Sequence, residues 1–146
     1  GTELLERLSR FLEGDKEVQL PILTSCCPGW VNFFEYHFPD MKEIPSTARS
    51  PQQMFGSIAK SYFAEKIGVE RDDMVVVSIM PCLAKKYECQ RDEFSVNGNP
   101  DVDFSISTRE LAHLIKQANL DLRKLSNEEF DAPLGESSGA AVIFGT

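Results

Sequence analysis

The sequence predicts an α/β fold, an open and mainly parallel sheet with helices on both faces, and three observations predict it. Met74–Met80 is a continuous, β-branched apolar run, as expected of a strand covered on both sides. Strand-like segments at Leu20–Leu23, Met74–Met80 and Val102–Ile106 are interleaved with stretches whose apolar residues recur at helical spacing. The resulting order, α-β-α-α-β-α-β-α, is that of strands joined in parallel through helical crossovers.

The elements follow from local chemistry. Residues 2–13 carry Leu4, Leu5, Leu8, Phe11 and Leu12 at helical spacing, and Gly14-Asp15 ends the pattern. Leu20–Leu23 reads as a buried strand or an entry loop. Pro28 suits the first turn of a helix, where its missing N–H would be unpaired anyway, and that helix runs to about His37 before Pro39 stops it. Ser50 caps the next helix and Pro51 opens it; it extends to about Ile67 and ends at Gly68. After Met74–Met80, residues 83–89 form a short helix and Asn97-Gly98-Asn99-Pro100 a loop. Val102–Ile106 alternates as a strand, and Thr108 caps a helix through about Gln117 with Glu110 near its positive end. Residues 120–139 read as irregular, and no repeat or low-complexity tract interrupts the chain.

At 146 residues the chain reads as a single domain, 1–146, able to bury about two-thirds of its unfolded surface. A net charge of −8 argues against nucleic acid and anionic membrane surfaces, and suits a partner with basic residues at its docking face. No apolar stretch approaches the ~20 residues that span a bilayer, and no secretory signal is visible. Four cysteines in that setting read as cytoplasmic thiols or metal ligands rather than a disulfide framework. The closing run Ala141-Val142-Ile143-Phe144-Gly145-Thr146 has no polar tail, so the chain is expected to be a piece of a longer protein.

Chemistry concentrates at Thr24-Ser25-Cys26-Cys27-Pro28-Gly29-Trp30 and at Met80-Pro81-Cys82 with Lys85 and Glu88 beyond it. Both lie where a strand gives way to a helix, the place where ligands gather in parallel sheets. Neighbouring side chains of an extended segment point in opposite directions, so Cys26 and Cys27 divide labour: one thiolate ligates and the other faces the space beside the ligand. The dipole of a helix starting at Pro28 would favour the thiolate form. The bland reading of the pair is two small buried residues. Lys85 beside a thiolate site could hold an anionic ligand; alone, a solvated Lys85–Glu88 pair would be the favoured reading. Cys89 reads as structural. Three cysteines still fall short of a closed site, since structural zinc and cubane clusters normally take four ligands. His37 and His113 sit within helical patterns and read as surface or packing residues.

These two motifs resemble the first two signature motifs of the FeFe (iron-only) hydrogenases, and Ser46–Gly56 and Asp103–Glu110 support the likeness over essentially the whole chain. The resemblance implies one lobe of a two-lobed catalytic domain that interconverts dihydrogen with protons and electrons. Its active site is a 4Fe-4S cubane joined to a diiron centre with CO, cyanide and a bridging dithiolate, the H-cluster. By motif position Cys27 and Cys82 resemble cubane ligands, Cys26 the proton-delivering thiol, and Lys85 the residue bonding a cyanide. Pro51, Gln52, Met80, Pro81, Phe144 and Gly145 resemble pocket-lining positions. Ser46, Glu3 and Arg7 fall on the family's proton path, although Glu3 and Arg7 are also placed for a plain i,i+4 ion pair.

The family's third cysteine motif and its ferredoxin-type relay modules have no counterpart in the sequence. The resemblance therefore implies a partial ligand set, a C-terminal lobe as partner, a redox carrier such as ferredoxin, and no activity of this chain alone. Two other readings compete: a hydrogenase-like iron–sulfur assembly or sensory protein, and a non-enzymatic α/β module binding zinc through Cys26 or Cys27, Cys82 and Cys89. A redox-active Cys26-Cys27 dithiol is disfavoured by ring strain.

Overall fold

Strand β1 (Val77–Met80) and strand β4 (Phe104–Ser107) lie side by side in parallel, with Met80 opposite Ser107 at their carboxyl ends. The computed structural model that describes this arrangement covers residues 1–135. The crossover between the two strands contains helix α5 (Ala84–Glu88) and a small antiparallel hairpin, β2 (Ser95–Val96) and β3 (Asn99–Pro100). Asn97 and Gly98 both take positive φ in that hairpin turn, as a two-residue turn matched to strand twist requires. The α/β reading of the sequence therefore holds, with a parallel pair as its sheet.

Helix α1 (Thr2–Leu12) buries no residue. It is fastened by polar contacts instead, the Arg7 guanidinium donating to the carbonyls of Glu43 at 2.8 Å and Pro45 at 3.1 Å. Helix α2 (Pro28–His37) starts with Cys27 as its extended N-cap residue and ends where Pro39 opens a separate turn. Its aromatic side packs inward, Trp30 stacking on Phe34 at 5.2 Å. Helix α3 (Pro51–Ile58) is capped by Ser50, whose hydroxyl accepts from the Gln53 N–H. It continues through a π-helical turn at Ala59–Phe63 into α4 (Ala64–Ile67), which Gly68 terminates in the left-handed region. Helix α6 (Thr108–Gln117) follows β4 without a loop.

Four sequence expectations change. Leu20–Leu23 is an entry segment, not a strand: only Leu23 forms an isolated parallel bridge, to Pro45. Pro21 removes a donor from a segment too short to compensate. The strand at Met74–Met80 begins at Val77 because Val76 gives its N–H to the Asp103 carboxylate. Val102 drops out of the second strand to pack, fully buried, against Gly56. The cap of α6 is Ser107 rather than Thr108, in a complete capping box with Glu110.

The interior is unusually polar. Beside Phe34, Ala59, Ala64 and Val102, the buried residues include Ser50, Gln52, Gln53, Lys60, Lys85, Glu88 and Asp101. Lys60 pairs with Asp103 at 2.8 Å, and Asp101 is held between Arg49 and Arg71. Val77, Ile79 and Phe104 remain at least half exposed on the parallel pair, a geometry that ordinarily is covered on both faces.

Candidate functional site

The two cysteine loops converge because α2 and α5 pack together. A β-carbon placed on Gly29 would lie 3.7 Å from that of Ala84, so the helices' first turns touch. Tyr87 bonds Asn32 at 3.4 Å, and Arg91 clasps both carboxylate oxygens of Glu35 at 3.0 and 2.7 Å. Cys26, Cys27 and Cys82 are exposed free thiols in this region, and Cys89 is half-buried. The Cys27 side chain makes no capping bond to α2, which leaves the thiol uncommitted. Met80 is half-buried and Pro81 exposed at the end of β1. A cleft of about 530 Å³ opens there, lined by Pro81, Leu83, Ser107, Thr108, Arg109 and Glu110. It lies at the carboxyl ends of both parallel strands, where such folds place ligands.

Lys85 ties the loops together. Its ammonium donates to the backbone carbonyl of Cys26 at 2.8 Å and to Glu88 Oε2 at 3.1 Å, with Glu88 Oε1 at 3.3 Å. The pair is buried rather than solvated, at 11% and 4% side-chain exposure. Glu88 Oε2 also accepts from Ser50 Oγ at 2.9 Å and from Gln52 Nε2 at 3.1 Å. Gln52, buried, accepts from Ser78 of β1 at 2.7 Å and donates to the Cys89 sulfur at 3.2 Å. Burial pushes the Cys89 thiol pKa up, with the Glu88 charge adding to it, so Cys89 stays a packed, protonated thiol as its structural reading anticipated. Pro51 is exposed at the first position of α3, and Phe144 and Gly145 lie outside the described residues.

Glu3, Arg7 and Ser46 form a second group. Glu3 Oε1 accepts from Arg7 at 2.7 Å and from the Thr47 N–H at 3.0 Å, while Ser46 Oγ donates to Glu3 Oε2. Partial burial raises the Glu3 pKa, but the bonds from Ser46, Thr47 and Arg7 outweigh it and hold the carboxyl at about 2. The Glu3–Arg7 ion pair is therefore present, and the same carboxylate reaches Ser46 besides.

Among the described residues no three His, Cys, Asp or Glu side chains gather into a metal-holding group. The donor set offered is thus open and partial: three exposed free thiols, with the Lys85 ammonium bonded to the backbone of Cys26. That suits a shared cluster completed by ligands from elsewhere, and does not suit a closed zinc site, which needs four ligands from the chain.

The family model for the iron-only hydrogenase large subunit, C-terminal domain, matches residues 1–146. The chain belongs to this family. It is 67% identical over 145 residues to the NADP-reducing hydrogenase subunit HndD of Solidesulfovibrio fructosivorans, covering 99% of this chain and 25% of that protein. It is 43% identical to the periplasmic iron hydrogenase large subunit of Nitratidesulfovibrio vulgaris, again over 99% of this chain and 34% of the relative. An apo FeFe hydrogenase structure from Chlamydomonas reinhardtii superimposes with a TM-score of 0.84 at 43% identity, covering 95% of this chain and 34% of that one. The chain thus spans a quarter to a third of the length of these relatives. A cytosolic iron–sulfur assembly component of Bos taurus is more distant, at 36% identity.

For this hydrogenase-family chain, sequence reasoning named the exposed thiols, Lys85 and the Glu3 group, but missed the buried bonds around them. Ser50 reads in sequence as a helix cap and is also a Glu88 ligand; Thr47 goes unnoticed because it contributes mainly its backbone N–H. Ser46 and Ser50, four residues apart on the approach to a helix, were the available signal.

Proposed function

We propose that this chain is the first lobe of an FeFe hydrogenase catalytic domain that interconverts dihydrogen with two protons and two electrons. The 67% identity to a named hydrogenase subunit supports hydrogen chemistry over the assembly or sensory role of the more distant relatives. The observation that carries the site assignment is the Lys85 ammonium bonded to the Cys26 carbonyl at 2.8 Å, which sets a buried cation against the thiol-bearing loop. Cys27 and Cys82 would ligate the 4Fe-4S part of an H-cluster, and residues outside this chain would supply the remaining ligands. When bound, that group supplies the redox centre at which protons are reduced and dihydrogen is split.

The chain's own residues then do three things. Lys85 carries three N–H groups, of which one serves Cys26 and one can serve both Glu88 oxygens, leaving one for an anionic cyanide. Cys26, next to Cys27 in the chain and likewise an exposed free thiol, would give and take a proton at its Sγ. Glu3 and Ser46 form the outer part of a proton route, with Arg7 holding the carboxylate in place. Pro51, Gln52, Met80, Pro81, Phe144 and Gly145 would enclose the site. Dihydrogen, protons and a redox carrier such as ferredoxin are the partners, and the cytoplasm the compartment. Among the described residues no helix is long and apolar enough to cross a membrane.

The test is iron and sulfide content with hydrogen turnover in the intact protein. Cys27→Ser and Cys82→Ser should each lose cluster iron. Cys26→Ser should keep the iron and lose turnover by about a hundredfold or more, the scale of a lost proton-transfer group. Stoichiometric zinc, or full iron in both ligand variants, would overturn the assignment. Residues 1–146 expressed alone should evolve no hydrogen; measurable evolution after maturation would refute the incomplete-site reading.

A further inference from the structure

We propose that Glu88 is a positioning residue for the site: it fixes the Lys85 ammonium and, through it, the Cys26 backbone. This rests on the reading of Lys85 as the cation that meets the site's cyanide.

Glu88 is 3% exposed, and its carboxylate is held by three side chains, two from the start of α3 and one from its own helix. Ser50 Oγ, at the cap of α3, donates at 2.9 Å; Gln52 Nε2, from the second residue of α3, at 3.1 Å; Lys85 Nζ, one turn back along α5, at 3.1 Å. The supports are themselves fixed. Ser50 Oγ accepts from the Gln53 N–H at 3.3 Å, and Gln52 Oε1 accepts from Ser78 Oγ of β1 at 2.7 Å. Any other rotamer of Glu88 would have to give up bonds to Ser50, Gln52 or Lys85.

Stability alone does not account for the arrangement. Taking an ion pair out of water costs more than its attraction returns unless the remaining bonds are satisfied, and apolar replacements of equal volume are often as stable. What the buried anion does provide is direction. An ammonium on a four-carbon stem is a mobile point charge, and Lys85 has two rigid acceptors, Glu88 and the Cys26 carbonyl, that restrict it. Its remaining N–H is then presented from a fixed point, and the carbonyl beside the Cys26 thiol is fixed by the same ammonium. The bonds of Glu88 go to Ser50, Gln52 and Lys85, and it acts on the site through Lys85.

The experiment compares Glu88→Gln, Ser50→Ala and Lys85→Gln in the intact, cluster-loaded protein. It reads iron content, the infrared stretching bands of the bound cyanide, and turnover. Glu88→Gln keeps the shape and removes the charge that pins Lys85. At full iron content it should shift the cyanide bands in the same direction as Lys85→Gln and lower turnover by about tenfold or more, the scale of a misaligned contact. Ser50→Ala should give a smaller shift of the same sign. Lys85→Gln that shifts the bands while Glu88→Gln and Ser50→Ala leave them unmoved would overturn the positioning role and spare the Lys85 assignment. Unmoved bands in Lys85→Gln would overturn the Lys85 assignment, and the role of Glu88 with it. If Glu88→Gln fails to fold or to load, Ser50→Ala decides by the same two outcomes.

Discussion

Lys85 and Cys26, 59 residues apart in the chain, are joined by a 2.8 Å bond from the lysine ammonium to the cysteine's backbone carbonyl. The bond links the two cysteine loops, and the same ammonium pairs with the buried Glu88 carboxylate at 3.1 Å.

Removing only the cation should therefore be costly. Lys85→Met leaves the Glu88 carboxylate buried with hydrogen bonds but no positive partner, a loss of about 3–5 kcal/mol. Lys85→Met/Glu88→Leu removes both charges and should recover part of that loss. Chemical denaturation of the variants measures it; a double variant less stable than the single one would contradict the buried-pair account.

Glu3 predicts an acid response. Its pKa in the folded protein is lowered from the ordinary 4.5 to about 2, so the folded state is favoured by the ionised group above pH 4.5 and loses that contribution as pH falls toward 2. Glu3→Gln should flatten the fall in melting temperature across that window. At neutral pH it should cost about 1–2 kcal/mol, because Glu3 is partly exposed and solvent screens the pair. Thermal melts of both proteins from pH 2 to 7 test this; parallel curves would show that another group sets the slope.

What the sequence made legible was chemistry carried by residue type and short spacing. Pro28 and Pro51 located two helix starts, the β-branched run at Met74–Met80 pointed to β1, and Cys26, Cys27, Cys82 and Lys85 singled out the candidate site. Bonds between distant segments were not legible. Nothing in a Lys-x-x-Glu spacing says whether the pair is solvated or buried, and the deciding partners, Ser50 and Gln52, lie 38 and 36 residues from Glu88. Leu20–Leu23 looked like a strand by composition alone, whereas a strand needs a neighbour with a free edge, and only Pro45 bridges to it. The exposed β1–β4 surface shows the same limit: the sequence pattern of a covered strand is present in a chain whose described residues do not cover it.

Gly56 is required by close approach. A β-carbon there would lie 2.5 Å from the Asp101 carbonyl oxygen and 2.5 Å from Val102 Cγ2, and the first of these is backbone that cannot swing aside. Gly56→Ala should cost about 1–3 kcal/mol, the usual range for overpacking. The displacement would also reach the Arg49–Asp101–Arg71 cluster. Denaturant midpoints should fall for Gly56→Ala and stay nearly unchanged for Gly29→Ala, whose added carbon meets Ala84 at an ordinary 3.7 Å. Equal effects would mean that the close contact relaxes freely.

The start of α6 separates two adjacent hydroxyls. Ser107 Oγ accepts from the Glu110 N–H at 3.2 Å, and Glu110 returns a bond by accepting from the Ser107 N–H at 2.7 Å. Ser107 is also the last residue of β4, opposite Met80, so the cap anchors the helix directly at the cleft beside Pro81. Ser107→Ala should cost about 1 kcal/mol, the typical value of a lost N-cap, while Thr108→Ala, already inside the helix, should cost a few tenths at most. Bonds from Lys86 and, next, from Ser107 hold the Glu110 carboxyl at about 2, so acidification toward that value opens the box from its other side. Hydrogen exchange at the Glu110 amide reports the cap specifically: it should speed up in Ser107→Ala and not in Thr108→Ala. The reverse order would place the cap one residue later and detach it from the end of β4.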